Sequence, residues 1–360
     1  MGHIASILGI SAAERQSINS IGERIVYDAA MQYVLARQEE IALTTSALIG
    51  AETELWQEQY ALPGGGMLPP VSGDTAAPTR RTLGSWSVAY PLATYGASLG
   101  YTKEVLGYTT PDGFELQVNG IIEAGLNRLR HEILRRLFKN TVDSITEAYP
   151  AGATLTVQPL ANGDSVVYPP VEGSNTEATD NHYLASGYAA NTISNTNNPL
   201  RTLADELYEH FPATTGGING VVFINNAQTA LISALTEFDA VVDNFIRAGS
   251  NTDVPINLPN VPGKIIGRAN VSGVWVVEWR WIPADYMLAL NLEADGPLKM
   301  RVDMASSGLP RGLHMSFTDP NRPIQTMEWK HRFGIGASNR LNGVVMQLTT
   351  GSYTIPSAYA

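Results

Sequence analysis

Cysteine is absent from all 360 residues, so the chain can hold no disulfide framework, no thiolate metal site and no cysteine nucleophile. Long apolar runs are missing too. The longest fall far short of a membrane span, and the opening MGHIASILGISAAERQ lacks the basic start and small-residue cleavage site of a secretory signal. These absences predict a soluble protein, cytoplasmic at synthesis, whose robustness comes from packing or assembly. Positive charge is in deficit: 23 Lys and Arg stand against 34 Asp and Glu, a net charge of −11. A dedicated nucleic-acid binder normally shows a basic patch or a high pI, so that class is disfavoured. A shell that merely faces nucleic acid is not.

Signatures of chemistry are equally scarce. The histidines (His3, His131, His182, His210, His314, His331) are scattered, and none forms an HExxH or comparable ligand pair. Gly64, Gly65 and Gly66 lack the GK[ST] of a phosphate loop and follow Pro63, where flexibility is the simpler use. No Gly-x-Ser-x-Gly elbow supports Ser-His-Asp hydrolysis. Glu39 and Glu40 sit on a helical pattern, where a solvated face is the default, and Asp253 and Asp285 fall in loops. The expectation is a protein that is not an enzyme, with no catalytic, metal-binding or cofactor-binding residue.

What is present is apolar patterning, with 44% hydrophobic residues in a chain long enough for two domains and appendages. The clearest element is a helix from about Phe114 to Asn140. Val118, Ile122, Leu126, Leu129, Ile133 and Leu137 fall at spacings of three and four and form one stripe. Pro111 and Asp112 mark its start, while Arg135, Arg136 and Lys139 gather at the negative end of its dipole. At roughly 40 Å it must lie along a large surface. The cluster Arg128, Arg130, Arg135, Arg136 and Lys139 would suit an inner face toward nucleic acid, but the preferred reading is a solvated side pairing with carboxylates.

Before this helix runs an arm, residues 55–101. Trp56, Tyr60 and Leu62 share one face of an alternating segment, and Trp86, Val88, Tyr90 and Leu92 one face of another, which predicts two strands. Between them PGGGMLPPVSGDTAAPTRR is too poor in large apolar residues to build a core, so it reads as a long exposed tip. A lone hairpin is marginal in water and its edges invite another chain, so neighbouring subunits are the expected cover. Arg80 and Arg81, the arm's only cations, are expected to meet carboxylates on such a neighbour. The candidate interface residues are therefore Trp56, Tyr60, Arg80, Arg81, Trp86, Tyr90, Arg128 and Arg135.

The remaining segments alternate. Ser11 and Glu14 have capping-box spacing before one or two N-terminal helices carrying Ile18, Ile21, Ile25, Ala29, Val34 and Ile41. After the long helix come short strands broken by Pro-Ala-Gly and Asn-Gly-Asp turns, then an Asn/Thr/Ser/Gly-rich boundary. Asn198 and Pro199 open a helix with Leu200, Leu203, Leu207 and Phe211 on one face. GVVFIN is a buried strand, AQTALISAL a helix, and IIGRANV with GVWVVEWRWI a hairpin around Ser272 and Gly273. Trp275, Val277, Trp279 and Trp281 share a face that packs as core or interface more readily than it binds a ligand. YMLALNL and LKMRVDM continue that sheet. The last strand kinks at Gly334 and Gly336.

In this order the parts resemble the major capsid proteins of tailed double-stranded-DNA bacteriophages, with the Hong Kong 97-like fold. WSVAYPLATYGASLGYTKEVL looks like the family's loop returning toward its spine helix, and HRFGIGASNRLNGVVMQL like its late strand. The resemblance implies an α+β fold with an N-terminal arm (1–54), an extended β-hairpin loop (55–101), a peripheral sheet domain (102–198) holding the spine helix 114–140, an inserted axial α/β domain (199–319) and a peripheral return strand (320–360). It implies a structural protein that self-assembles, as hexamers and pentamers, into an icosahedral head shell in the host cytoplasm and resides in the virion. A scaffolding protein, a portal and a decoration protein are the implied partners, with packaged DNA faced but not read and no membrane. The chain lacks a long charged coiled-coil extension, so the scaffold is expected as a separate protein or as a segment already removed. In the family's type member a lysine on the extended loop joins a neighbour's side-chain amide; between Leu55 and Thr102 this chain has no lysine. Two other readings remain: an encapsulin-like compartment shell, and a carbohydrate-binding or hydrolytic α/β enzyme using the tryptophan face.

Overall fold

The computed structural model describes residues 3–9, 16–63, 82–147, 152–210, 220–240 and 261–360. Arg80, Arg81, the three glycines of the arm tip, the Ser11/Glu14 pattern, Phe211 and Asp253 lie outside the described residues. The N-terminal elements are α1 (Ile4–Ile7), α2 (Ile18–Ile21), α3 (Glu23–Thr45), β1 (Ile49–Thr53), β2 (Gln57–Pro63), β3 (Thr82–Ala89), β4 (Ala93–Gly100) and α4 (Lys103–Leu106). The middle holds α5 (Pro111–Phe138), β5 (Asp143–Glu147), β6 (Ala153–Val157), β7 (Tyr183–Ala185), α6 (Pro199–Tyr208), β8 (Gly220–Ile224) and α7 (Thr229–Ser233). The remainder is β9 (Phe238–Ala240), β10 (Lys264–Ala269), β11 (Val274–Glu278), β12 (Tyr286–Asn291), β13 (Leu298–Arg301), β14 (His314–Phe317), β15 (Thr326–Ala337) and β16 (Val344–Gln347).

The long helix α5 organises the molecule because its single stripe serves two cores. Its first half buries Phe114, Val118, Ile122 and Leu126 against α1, α3 and the Met315, Met327 and Trp329 side of β14 and β15. Its second half buries Leu129, Ile133, Leu134, Leu137 and Phe138 against the seven-stranded sheet. Thr110 caps it by accepting a hydrogen bond from the Gly113 amide at 3.3 Å, and Pro111 takes the first helical position, where a missing N–H costs nothing. The helix thus begins three residues before the expected Phe114 and spans about 42 Å.

The seven-stranded sheet has the order β7-β16-β12-β8-β11-β10-β9. Its central strands read as unbroken apolar runs because both faces are covered. Val221, Phe223, Val277, Leu288 and Val345 face α5, while Val222, Ile224, Val276, Met287 and Val344 face α6 and its Leu200, Leu203 and Leu207. Asn198 caps α6 by accepting from the Leu200 amide at 3.0 Å, with Pro199 following as expected.

A second sheet joins β1-β13-β15-β14, with β4 also on β15. Two expectations are corrected here. LKMRVDM does not continue the sheet of YMLALNL: β13 pairs with β1 and β15 in the second sheet, and β16 returns to the first. Strands from 183–185 and 344–347 complete the sheet of 220–291. Nor does β15 kink. It runs unbroken and changes partners, pairing with β4 over 326–333 and with β13 over 334–337. The glycines stand at that change because a Cβ on Gly334 would lie 2.5 Å from the Pro91 carbonyl oxygen, and one on Gly336 2.9 Å from that of Ala89. Only glycine admits so close a crossing of backbones.

Candidate assembly surface

Among the described residues the arm is a two-stranded ribbon, β2 against β3, with Tyr60 opposite Trp86 and Gln57 opposite Ala89. Its root is not left for a neighbour to cover. Trp86, Val88 and Tyr90 pack with Ala161, Tyr168 and Leu341 of the same chain, and Tyr90 is fully buried. Within the single chain Trp86 and Tyr90 are therefore core residues. Alternation showed that they share an apolar face but not what the face would meet.

Tyr60 stacks on Trp86 with ring centroids 5.4 Å apart, and its hydroxyl shares a hydrogen bond of 2.9 Å with that of Tyr90 and donates to Glu58. Glu58 also accepts from Thr53 Oγ1 at 2.8 Å and from Lys299 Nζ at 2.8 Å. Burial opposes ionisation of Glu58, but the hydrogen bonds from Lys299, Tyr60 and Thr53 outweigh it and hold its carboxyl below the ordinary value. Beneath this knot Arg301, on β13, donates to the Tyr90 carbonyl and to Glu147 Oε2, each at 2.9 Å. The arm is anchored at its base by the Lys299–Glu58 ion pair and the Arg301 hydrogen bond to Tyr90, neither of which sequence reasoning found.

Trp56 is 43% exposed, beside the equally open Leu55. Glu54 next to them binds the Ala305 amide at 3.3 Å and the Arg311 guanidinium, which sets the exposed Met304 in the same region. A second open apolar set lies where α4 meets α5, with Val105, Leu116 and Tyr108, the last 91% exposed. These two sets offer unpaired apolar surface.

The basic side of α5 is occupied by carboxylates. Arg128 bonds Glu132 at 2.6 Å and lies over the Tyr95 ring, 4.4 Å from its centroid. Arg135 reaches Glu132 and Asp143, at 3.7 and 3.4 Å, while Arg136 and Lys139 hold Asp143 at 2.6 and 2.5 Å. Asp143 is pushed up by burial and pulled further down by Lys139, Arg136 and Arg135, so it stays ionised. Four of the five cations thus pair with carboxylates as expected, but Arg136 is buried and not solvated, and Arg130 reaches Asn127 instead.

The tryptophan face is core. Trp279 is buried against Phe223, and Trp275 and Trp281 pack half-buried on the same cluster. The histidines, in contrast, are not all scattered. His182 and His210 meet at Asp180, 2.7 and 3.3 Å from its Oδ2, with Glu206 and Glu209 alongside. Burial raises the Asp180 carboxyl, and the two histidines beside it more than reverse this, while Glu206 is pushed up to about 7 by burial and by Glu209. The signal was an Asp-x-His and a Glu-x-x-Glu-His pattern, but 23 residues of chain separate them, and no local spacing links the two.

No family model and no curated protein matches this chain. Among solved structures it is similar to one of Mycobacterium phage Patience, with a TM-score of 0.66 and 19% identity over 93% of this chain and 90% of that one. It also matches the capsid structure of the cyanophage P-SCSP1u at TM-score 0.48 and 11% identity, over 84% and 86% of the two chains. The capsid of the native GTA particle matches at 0.47 and 11%, over 86% and 90%. The first likeness spans nearly the whole of both chains and shows a shared fold, here a mixed helix and sheet chain.

Proposed function

We propose that this chain is the major capsid protein of a tailed bacteriophage, a structural subunit that assembles into an icosahedral head around the genome. The observation that carries the reading is the likeness to the phage structure over 93% of this chain. In this reading hexamers and pentamers form through the arm and through the open sets at Leu55, Trp56 and Met304 and at Val105, Tyr108 and Leu116. Tyr60, Arg80, Arg81, Arg128 and Arg135 are further candidates for those contacts. Residues 1–54 act as the N-terminal arm, 55–101 as the extended loop and α5 as the spine. The seven-stranded sheet is the axial unit, although its strands come from three parts of the chain. A scaffolding protein, a portal and a decoration protein are the proposed partners, and the virion, assembled in the host cytoplasm, is the proposed location. The pairing of Arg128, Arg135, Arg136 and Lys139 with carboxylates supports a shell that faces DNA without binding it specifically. An encapsulin-like compartment would use the same fold, and the packing of the tryptophan face leaves the enzyme reading without its proposed platform.

Electron microscopy and sedimentation of the purified protein, alone and with a co-expressed scaffold, test this. Closed shells are expected. A monodisperse monomer under every condition overturns the proposal, and shells filled with protein cargo in place of DNA favour the compartment.

A further inference from the structure

We propose that Asp180, His182, Glu206 and Glu209, with His210 beside them, form a binding site for one divalent ion of the zinc class. The argument starts from the backbone. Asp180 and His182 are two apart on the extended segment that enters β7, so their side chains share a face. Glu206 and Glu209 are three apart on α6 and at its end, again on one face, where the exposed carbonyls of the helix favour a cation. The two faces meet. One ligand atom from each of Asp180, His182, Glu206 and Glu209 lies within 4.8 Å of all the others.

The placement of His182 carries the case. Its Nδ1 lies 2.9 Å from the Gly343 carbonyl oxygen, which can only accept, so Nδ1 carries the proton. Its Nε2 lies 2.7 Å from the Asp180 Oδ2, and both atoms are buried without a hydrogen-bond partner. A divalent ion held between these groups would satisfy both. A backbone bond at one ring nitrogen that aims the other is the arrangement that orients metal-bound imidazoles. His182 is 1% exposed, and its backbone is fixed on both sides, its amide donating to Ala161 and its carbonyl accepting from Val345.

His210 supplies a second, independent pointer. Its side chain is 6% exposed, and neither ring nitrogen has a hydrogen-bond partner. Its Nε2 is 3.3 Å from Asp180 Oδ2 and 3.3 Å from Glu209 Oε1, aimed into the same space. A buried imidazole left without partners costs free energy that a ligand would recover. Three carboxylates with two imidazoles make a mixed oxygen and nitrogen set. That set suits Zn²⁺ or Co²⁺, whereas Ca²⁺ takes oxygen ligands alone. The ion would join α6 to the segment before β7 and so strengthen the seven-stranded sheet at its edge.

The test uses the full chain without a histidine tag, as free subunit and as assembled particle. Co²⁺ titration followed by visible absorption, and zinc content after exhaustive dialysis, should each give one ion per chain. Added Ca²⁺ should not compete. Asp180→Asn and Glu209→Gln should each weaken binding more than tenfold and abolish the rise in melting temperature that zinc gives the native chain. Glu209 is partly exposed at a helix end, so Glu209→Gln decides the matter if Asp180→Asn fails to fold. Absence of stoichiometric binding, or one tightly bound ion retained in Glu209→Gln, overturns the proposal, as does weak binding to many surface carboxylates only.

Discussion

At the scale of the residue, the molecule is held by a few buried charges whose partners come from distant segments. Arg301 and Glu147 are both almost wholly enclosed, and Arg301 also serves the Tyr90 carbonyl at the arm's root. Breaking such a pair strands the surviving charge. Arg301→Ala should therefore cost about 3–5 kcal/mol in urea unfolding of the free subunit, while Arg301→Met with Glu147→Leu should recover most of it. A single substitution costing under about 1 kcal/mol would show that the pair is relaxed by water. His331 gives a prediction of a different kind. Burial beside Ile122, Leu126, Leu129 and Met300, with the charge of His314 adding to it, lowers its pKa to about 4. An unfolded histidine takes up its proton near pH 6.5, so between about 6.5 and 4 the unfolded state binds more protons than the folded one. Stability should fall as pH drops through that window, and this contribution should be flat above it. His331→Leu should flatten the stability profile there, and an unchanged profile would mean that His331 titrates normally in the fold.

Elements show where local pattern is enough and where it is not. The helix α5 was legible because a stripe of period near 3.6 belongs to one helix whatever lies opposite, and Asn198-Pro199 marked α6 because capping is chemistry between adjacent residues. The hairpin of β10 and β11 was legible for the same reason, its turn lying in the Ser272 and Gly273 pair. The arm was legible as two strands, but its cover was not, since Ala161, Tyr168 and Leu341 lie far along the chain. That difference changes what a free subunit should do. The Tyr90 amide bonds the Trp56 carbonyl at 2.8 Å, and Val88 and Tyr90 are fully buried in the single chain. Hydrogen exchange should find the amides from Val88 to Tyr90 as protected in a verified monomer as in the particle. If they exchange freely in the monomer, neighbours hold the arm's root after all, as the sequence alone suggested.

For the whole molecule, the order of elements carried the fold class, because the sequence of arm, spine helix and late strand is written along the chain. Sheet membership was not, since β13 and β12 are both short strands and only long-range pairing sends one to each sheet. The Asp180 cluster was invisible for the same reason. In a shell of the proposed kind, something must resist pressure from within. Disulfide linkage is impossible without cysteine. An isopeptide bond from the arm needs an amine nucleophile there, and the lysines are Lys103, Lys139, Lys264, Lys299 and Lys330, none of them between Leu55 and Thr102. Lys299 packs against the arm, yet its ammonium is held 2.8 Å from Glu58, charged and bound within its own chain, and its pKa is raised by bonds to Glu58 and Tyr60 that outweigh burial. A protonated amine is not a nucleophile. Non-covalent packing at the exposed aromatic and aliphatic sets, or an added decoration protein, must then hold subunits together. Mature particles denatured fully and run on a gel should give one band at the chain mass of 38.8 kDa. A ladder of covalent oligomers would overturn this account of the arm, and its absence after Lys299→Met would name the residue responsible.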